Sequence, residues 1–263
     1  MQKSNTWQWG MIFLSIFVIA GVLIAASFIL RASEPEATEA SSNSETINTP
    51  PSEETPKEEE DTKPSESYKV EVGATVPISL LLESLEVKDE EKSSSYDREE
   101  FRHWVNVEGK CSAREFVLLT ESIIEVSYAD KAECKVSTGK WLSLYDDQTL
   151  SNASDVDIDH MVPLKEAWES GAHSWNDAKR RSYANDVDYD KSLIAVSAKS
   201  NRAKSDRDPS DWLPPSNAYI CTYLADWVAV KYRWELTIDA TEKATIAKES
   251  EDCTNLVSVP SKG

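Results

Sequence analysis

The sequence predicts an α+β fold: a small strand–strand–helix unit inside a mostly helical, disulfide-braced domain, with one apolar segment ahead of it. Three observations predict this. Val156 and Ile158 alternate with Asp157 and Asp159 as in a half-buried strand, which His160 closes and Pro163 terminates. Leu193-Ile194-Ala195-Val196 has the apolar, β-branched character of a buried strand, and the Gly- and Pro-free run Ala198–Ser205 behind it reads as a short helix. Cys111, Cys134, Cys221 and Cys253 include no Cys-x-x-Cys pair, which argues against a zinc knuckle and for bridges.

The chain has 263 residues and a formal charge of −19 from 28 basic and 47 acidic side chains. Gly10–Leu30 is free of charge, and at about 1.5 Å per residue it is long enough to cross a ~30 Å hydrocarbon layer as a helix. Trp7 and Trp9 stand where an interfacial belt would lie. Residues 1–31 are therefore expected to be one N-terminal transmembrane helix, a membrane anchor. A cleaved signal peptide is the alternative, since Ala25-Ala26-Ser27 offers small residues. Residues 32–75 follow as an acidic Ser/Thr/Pro/Glu-rich linker. Between 32 and 67 it has no aromatic residue and carries the run Glu58-Glu59-Glu60-Asp61, so it cannot bury enough apolar surface to offset chain entropy. The folded domain is expected over 76–256, with 257–263 as a tail.

Within the domain, Ile78–Leu85 reads as a short apolar helix and Tyr96–Trp104 as a helix with aromatics on one side. Ser112 is a fit N-cap for a helix through Leu119. Cys134–Leu142 reads as two strands about a Thr138-Gly139 turn, and Asp146–Asp155 as a polar loop. Leu164–Glu169 is a helix stopped at Gly171, and Ser174 caps another that runs to about Asn185. Asp208–Pro215 is a proline-set turn. Asn217–Glu235 is the longest helix, with Ile220, Leu224, Trp227, Lys231 and Trp234 on one stripe, and Thr237–Glu251 is the last. The expected bridges are Cys111–Cys134 and Cys221–Cys253, because each closes a local loop, one over a hairpin and one over a helix pair. Disulfides belong to an oxidising compartment, so the domain is expected outside the cell, membrane-tethered or, after cleavage, secreted.

The chemistry gathers in Asp157-Ile158-Asp159-His160-Met161-Val162-Pro163-Leu164 and in Ser200-Asn201-Arg202-Ala203-Lys204-Ser205-Asp206. Two strands and a helix can hold an imidazole, a carboxylate and an amide oxygen around one hard cation. With the segments LIAV and DRDPSDWLPP, these runs resemble the HNH (His-Me finger) nuclease superfamily, and within it the exported bacterial family related to the C-terminal domain of GmrSD restriction enzymes (DUF1524-like). The likeness runs from about Leu80 to Cys253. It implies a ββα-metal core and metal-dependent hydrolysis of phosphodiester bonds, with DNA as the favoured nucleic-acid substrate and the lipid bilayer as the anchor's partner.

The resemblance assigns His160 as general base and Asp159 and Asn201 as ligands of one Mg²⁺ or similar divalent ion. Adjacent strand residues face opposite ways, so the family pattern further implies that the strand gives way to a turn at the Asp-His pair. Lys204, three residues after Asn201 on the same helix face, contacts a substrate phosphate or is simply a surface lysine; Arg202 is a further phosphate candidate. Asp157 either orients His160 or caps a turn. The superfamily's middle Asn, which braces the histidine loop, is not found: Ser192 precedes Leu193. His103 and His173 are expected to be structural or at the surface, Arg114-Glu115 and Lys231-Arg233 to be structural ion pairs, and most tryptophans to pack in the core. Residues 68–263 carry −12, an awkward balance for a phosphate-binding protein. The non-enzymatic alternative is therefore an inactive extracellular envelope interaction module that keeps the HNH fold.

Overall fold

The computed structural model describes residues 70–91, 96–107 and 111–263. The expected membrane span and most of the expected linker lie outside them. No helix among the described residues is long and apolar enough to cross a membrane.

The described chain is a mixed α/β fold braced by two disulfides. β1 (Thr75–Pro77) leads into α1 (Ile78–Glu83), which buries Ile78, Leu81 and Leu82. β2 (Asn106–Val107) pairs with β3 (Cys111–Ser112). Ser112 then caps α2 (Ala113–Thr120), its hydroxyl accepting from the Glu115 amide. β4 (Ser127–Tyr128), β5 (Val136–Ser143) and β6 (Gln148–Asn152) form an antiparallel three-stranded sheet. β7 (Val156–His160) leads to α3 (Leu164–Glu169) and α4 (Asp177–Tyr183). β8 (Leu193–Ser197) runs directly into α5 (Ala198–Lys204). α6 (Ile220–Trp234) and α7 (Ala240–Glu249) follow, and β9 (Leu256–Ser258) returns to pair with β1. The segment expected as a tail thus supplies part of a strand, and the Gly263 amide donates to the Arg233 carbonyl.

Four local expectations are corrected. Tyr96–Trp104 is not a helix: it makes one 3-10 turn, Arg98–Glu100, capped by the Asp97 carboxylate, before Phe101 drops into the core. The Thr138-Gly139 pair is not a turn but lies inside β5. A Cβ on Gly139 would sit 2.7 Å from both the Ser122 hydroxyl and the Trp141 ring, so glycine serves close packing there. The polar Asp146–Asp155 stretch contains β6, whose exposed positions face solvent while its backbone completes the sheet. α4 starts at Asp177 because Asn176, rather than Ser174, accepts from the Lys179 amide.

Two apolar clusters result. One gathers α2, β5, the start of β7 and part of β8, with Trp141 at its centre. The larger one surrounds α6 and takes in α1, α3 and α7. α6 buries Leu224, Trp227, Val228 and Trp234, and a fully buried large apolar side chain contributes roughly 1.5–3 kcal/mol. It buries Lys231 as well, answered by the Glu166 and Glu242 carboxylates, the Ser170 hydroxyl and the Thr237 carbonyl. Arg233 likewise pairs with Asp186, and Arg114 with Glu115 at 2.9 Å. Cys111 is bonded to Cys134 and Cys221 to Cys253.

Candidate active site

The site is built on the β7–β8 hairpin and α5. Five register pairs join the strands, from Val156 opposite Ser197 to His160 opposite Leu193. The strand therefore does not turn at the Asp-His pair, as the family pattern implied. Asp157 and Asp159 share a face with Ile194 and Val196, while His160 lies on the other face with Ile158. Asp159 and His160 nonetheless line one cavity of about 340 Å³ at the end of the strand, and Asn201 lines it too. Asn201 reaches it because Ser197 ends β8 and caps α5, accepting from the Ser200 amide at 3.1 Å.

Hydrogen bonding decides which atoms are open. His160 is 6 % exposed, and its Nε2 lies 3.0 Å from the Ala184 carbonyl. A carbonyl only accepts, so Nε2 carries the proton and Nδ1 keeps the lone pair. Burial pushes the ring's pKa down to about 3, which holds it neutral. The imidazole stands between Trp104, at 5.4 Å between ring centroids, and Tyr183, at 6.4 Å.

Asp159 is buried, and its Oδ2 accepts from the Tyr145 hydroxyl and from Lys204 Nζ, both at 2.7 Å. Its Oδ1 has no donor among the described residues. Burial pushes the Asp159 carboxyl up and the Lys204 ammonium down, and their mutual attraction offsets each shift in part. Asn201 Nδ2 donates to Asp157 Oδ2 at 3.1 Å, which leaves its Oδ1 unengaged. Two hard oxygens at one cavity with room for water fit Mg²⁺, which takes few protein ligands and keeps several waters.

Lys204 is fully buried, with Nζ also 3.0 Å from the His160 carbonyl, so it cannot reach a substrate phosphate; the i+3 spacing turned it into the hairpin. Asp157 neither orients His160 nor caps a turn but holds the Asn201 amide. Arg202 does line the cavity, as does Arg98, which the sequence reading did not single out; neither has an ion-pair partner among the described residues.

Sequence reasoning also missed Asn185, Tyr145 and Trp104. Asn185 Oδ1 accepts from the Val105 amide at 2.9 Å, while its Nδ2 donates to the carbonyls of Arg102 and Arg181 at 2.8 and 2.7 Å. It adjoins Ala184, which grips His160. Next to it, Asp186 accepts from Ser192, Arg233 and Trp234. Asn185 and Asp186 are thus a buried polar pair just past α4, beside the Ala184 carbonyl that meets His160, and nothing in the neighbouring sequence marks them. His103 Nδ1 contacts the Phe101 carbonyl and His173 Nδ1 the Trp168 carbonyl.

Two other carboxylate groups bring oxygens within 4.8 Å of one another: Glu90, Glu166 and Asp208, and Asp208, Asp239 and Glu242. Glu166 and Glu242 bond Lys231, and neither group includes Asp159.

A family model described as "GmrSD restriction endonucleases, C-terminal domain" matches residues 117–249, which span Tyr145, β7, Asn185, β8 and α5. An "Uncharacterized secreted protein" of the fungus Arthroderma benhamiae is 40% identical over 174 residues, 66% of this chain and 83% of that protein. The likeness is therefore not confined to bacteria. No solved structure matches the chain.

Proposed function

The chain belongs to the family of GmrSD restriction endonuclease C-terminal domains, and from that premise we propose that it is a metal-dependent HNH endonuclease. Its ββα-metal core is β7, β8 and α5, and its substrate is nucleic acid, DNA by preference. The observation that carries the reading is that Asp159, His160 and Asn201 line one cavity, each with a lone pair that its other hydrogen bonds leave open.

In this mechanism His160 takes a proton from the attacking water at Nδ1, and the Ala184 carbonyl keeps the ring in the tautomer that allows it. Burial holds the ring neutral beforehand; an incoming phosphodiester anion raises its proton affinity. Asp159 and Asn201, each through Oδ1, would hold one divalent ion, Mg²⁺ in the first instance. That ion supplies stabilisation of the negative charge that builds on the phosphoryl group and the leaving oxygen. Tyr145 and Lys204 fix the Asp159 carboxylate, Asp157 fixes the Asn201 amide, and Arg98 and Arg202 receive phosphate.

The protein works outside the cell, tethered through residues 1–31 or secreted after their removal; the spacer ends ahead of β1, because Gly73 and Thr75, expected in the linker, already pair with the chain around β9. Two disulfides and the printed name of the fungal relative support that assignment. A second reading, the inactive extracellular interaction module, draws support from the net charge of −19 and from Lys204 lying against Asp159.

A plasmid-nicking assay separates the two. The protein should nick with Mg²⁺ or Mn²⁺ and stop on chelation, and folded His160→Ala should be slower by roughly 10²–10⁴-fold. Equal nicking by both proteins, or none by either with any divalent ion, would end the enzyme reading.

A further inference from the structure

Next to the cavity that holds His160 lies a second hollow of about 430 Å³, walled by Arg102, His103, Trp104 and Arg181 together with Val105 and Asn106. Val105, Asn106 and Arg181 also line a larger concavity of about 760 Å³, so the two adjoin along one stretch of surface. No carboxylate lines the smaller hollow, although acidic side chains outnumber basic ones 47 to 28 in the chain. Arg102 and Arg181 are exposed and have no ion-pair partner among the described residues.

Two features mark this hollow as constructed. Trp104 has φ 57°, a left-handed conformation that a bulky residue rarely adopts, and such strain gathers at functional sites. The single amide of Asn185 then grips both arginine-bearing backbones, its Nδ2 donating to the carbonyls of Arg102 and Arg181 while its Oδ1 takes the Val105 amide. One buried side chain therefore sets the span between two arginine backbones and holds the strained Arg102–Val105 segment. Trp104 connects the hollow to the chemistry: its ring centroid lies 5.4 Å from that of His160 and 5.6 Å from that of His103. Packing against the smaller apolar cluster accounts for part of the indole. It does not account for the positive φ or for two unpaired arginines held beside it.

We infer that this hollow is a subsite for an unpaired stretch of the nucleic-acid strand. A base lies against the Trp104 and His103 rings, and flanking phosphates are received by Arg102 and Arg181. A cationic surface with aromatic faces is how sequence-tolerant single-strand binders hold their ligand. The inference rests on the nuclease reading of the adjacent cavity and narrows its substrate to nucleic acid with an unpaired segment at the cleaved position.

Strand binding can be measured without cleavage. The full chain carrying His160→Ala, in chelator, is titrated into a fluorescein-labelled oligothymidylate of about a dozen nucleotides, a length within the usual single-strand site range. A hairpin duplex of similar length is titrated in parallel, and anisotropy is read. The single strand should bind more tightly than the duplex. Arg102→Glu combined with Arg181→Glu, both exposed and so safe for folding, should weaken single-strand binding at least about tenfold and lower the salt dependence by about two phosphate contacts. Trp104→Leu should weaken it by roughly 5- to 150-fold, and Trp104→Phe should recover most of that loss. Equal binding of strand and duplex, or affinity indifferent to both arginines, overturns the inference. A protein that fails to nick plasmid but still loses strand binding on charge reversal keeps the subsite and discards the nuclease reading. A protein that nicks while its strand binding ignores Arg102 and Arg181 does the reverse.

Discussion

At the scale of single residues, orientation rather than identity separates the working groups from ordinary polar side chains. His160 could have bonded through either nitrogen; the Ala184 carbonyl chooses Nε2. Asp159 could have been a bare carboxylate; Tyr145 and Lys204 occupy one oxygen and leave the other. Asn185 has the widest reach, because one amide satisfies three backbone groups from two segments about 80 residues apart. Asn185→Ala should therefore orphan a half-buried amide and two carbonyls and lower unfolding free energy by about 1–2 kcal/mol. A denaturant midpoint unchanged from the parent protein would refute that role. Its neighbour Ala184 holds His160, so histidine ring nitrogen shifts in the same variant should report a mixture of tautomers in place of one. Asp159, His160 and Asn201 were legible in the sequence because they stand in a short ordered motif. Asn185 and Tyr145 were not, since their partners are remote and nothing in their neighbours distinguishes them.

At the scale of elements, β7, β8 and α5 followed from periodicity and from the absence of breakers, as did α2 and its Ser112 cap. The misjudged elements share a cause. Gly139 lies in a strand because Trp141 and Ser122 crowd it, and Tyr96–Trp104 forgoes a helix because Phe101 is drawn into the core. Both are tertiary packing overriding local preference. The junction of β8 with α5 is where an element-level change should be felt most. Ser197 caps α5 and also donates to Asp146 Oδ2 at 2.6 Å, so Ser197→Ala should cost about 1–2 kcal/mol. Thermal unfolding should shift down by several degrees; an unchanged midpoint would mean that α5 is held by packing alone.

At the scale of the whole molecule, charge and burial make a pH-dependent stability. Asp226, 8 % exposed on α6, has its pKa raised by burial from 3.8 to about 7, and Glu121 is raised to about 7 for the same reason. The direction follows from linkage. Between the ordinary value and about 7 such a group is protonated when folded and ionised when unfolded, so unfolding releases a proton and stability falls as pH rises through that window. The destabilisation is absent at or below pH 3.8 and complete above about 7. Asp226→Asn removes it, and should raise the midpoint at pH 8 by an amount corresponding to roughly 2–4 kcal/mol, with the gain shrinking toward pH 5. Parallel midpoint-versus-pH curves for the two proteins would contradict this account. The two disulfides work at the same scale: each closes a loop of a few tens of residues, 23 and 32 apart in sequence, and limits the unfolded chain.

The sequence alone determined the order of strand, strand and helix, the motif residues they deliver, and which cysteines lie near enough in the chain to bond. Those are properties of neighbours, and the alternation of apolar and polar side chains records them. Only the tertiary structure decided which nitrogen of His160 is free, that Lys204 turns inward to Asp159, and that one amide of Asn185 ties the Arg102–Val105 segment to Arg181. Each depends on atoms brought together across roughly 25 to 80 residues. No pattern of adjacent side chains encodes such a meeting, because it exists only once the core has closed around it.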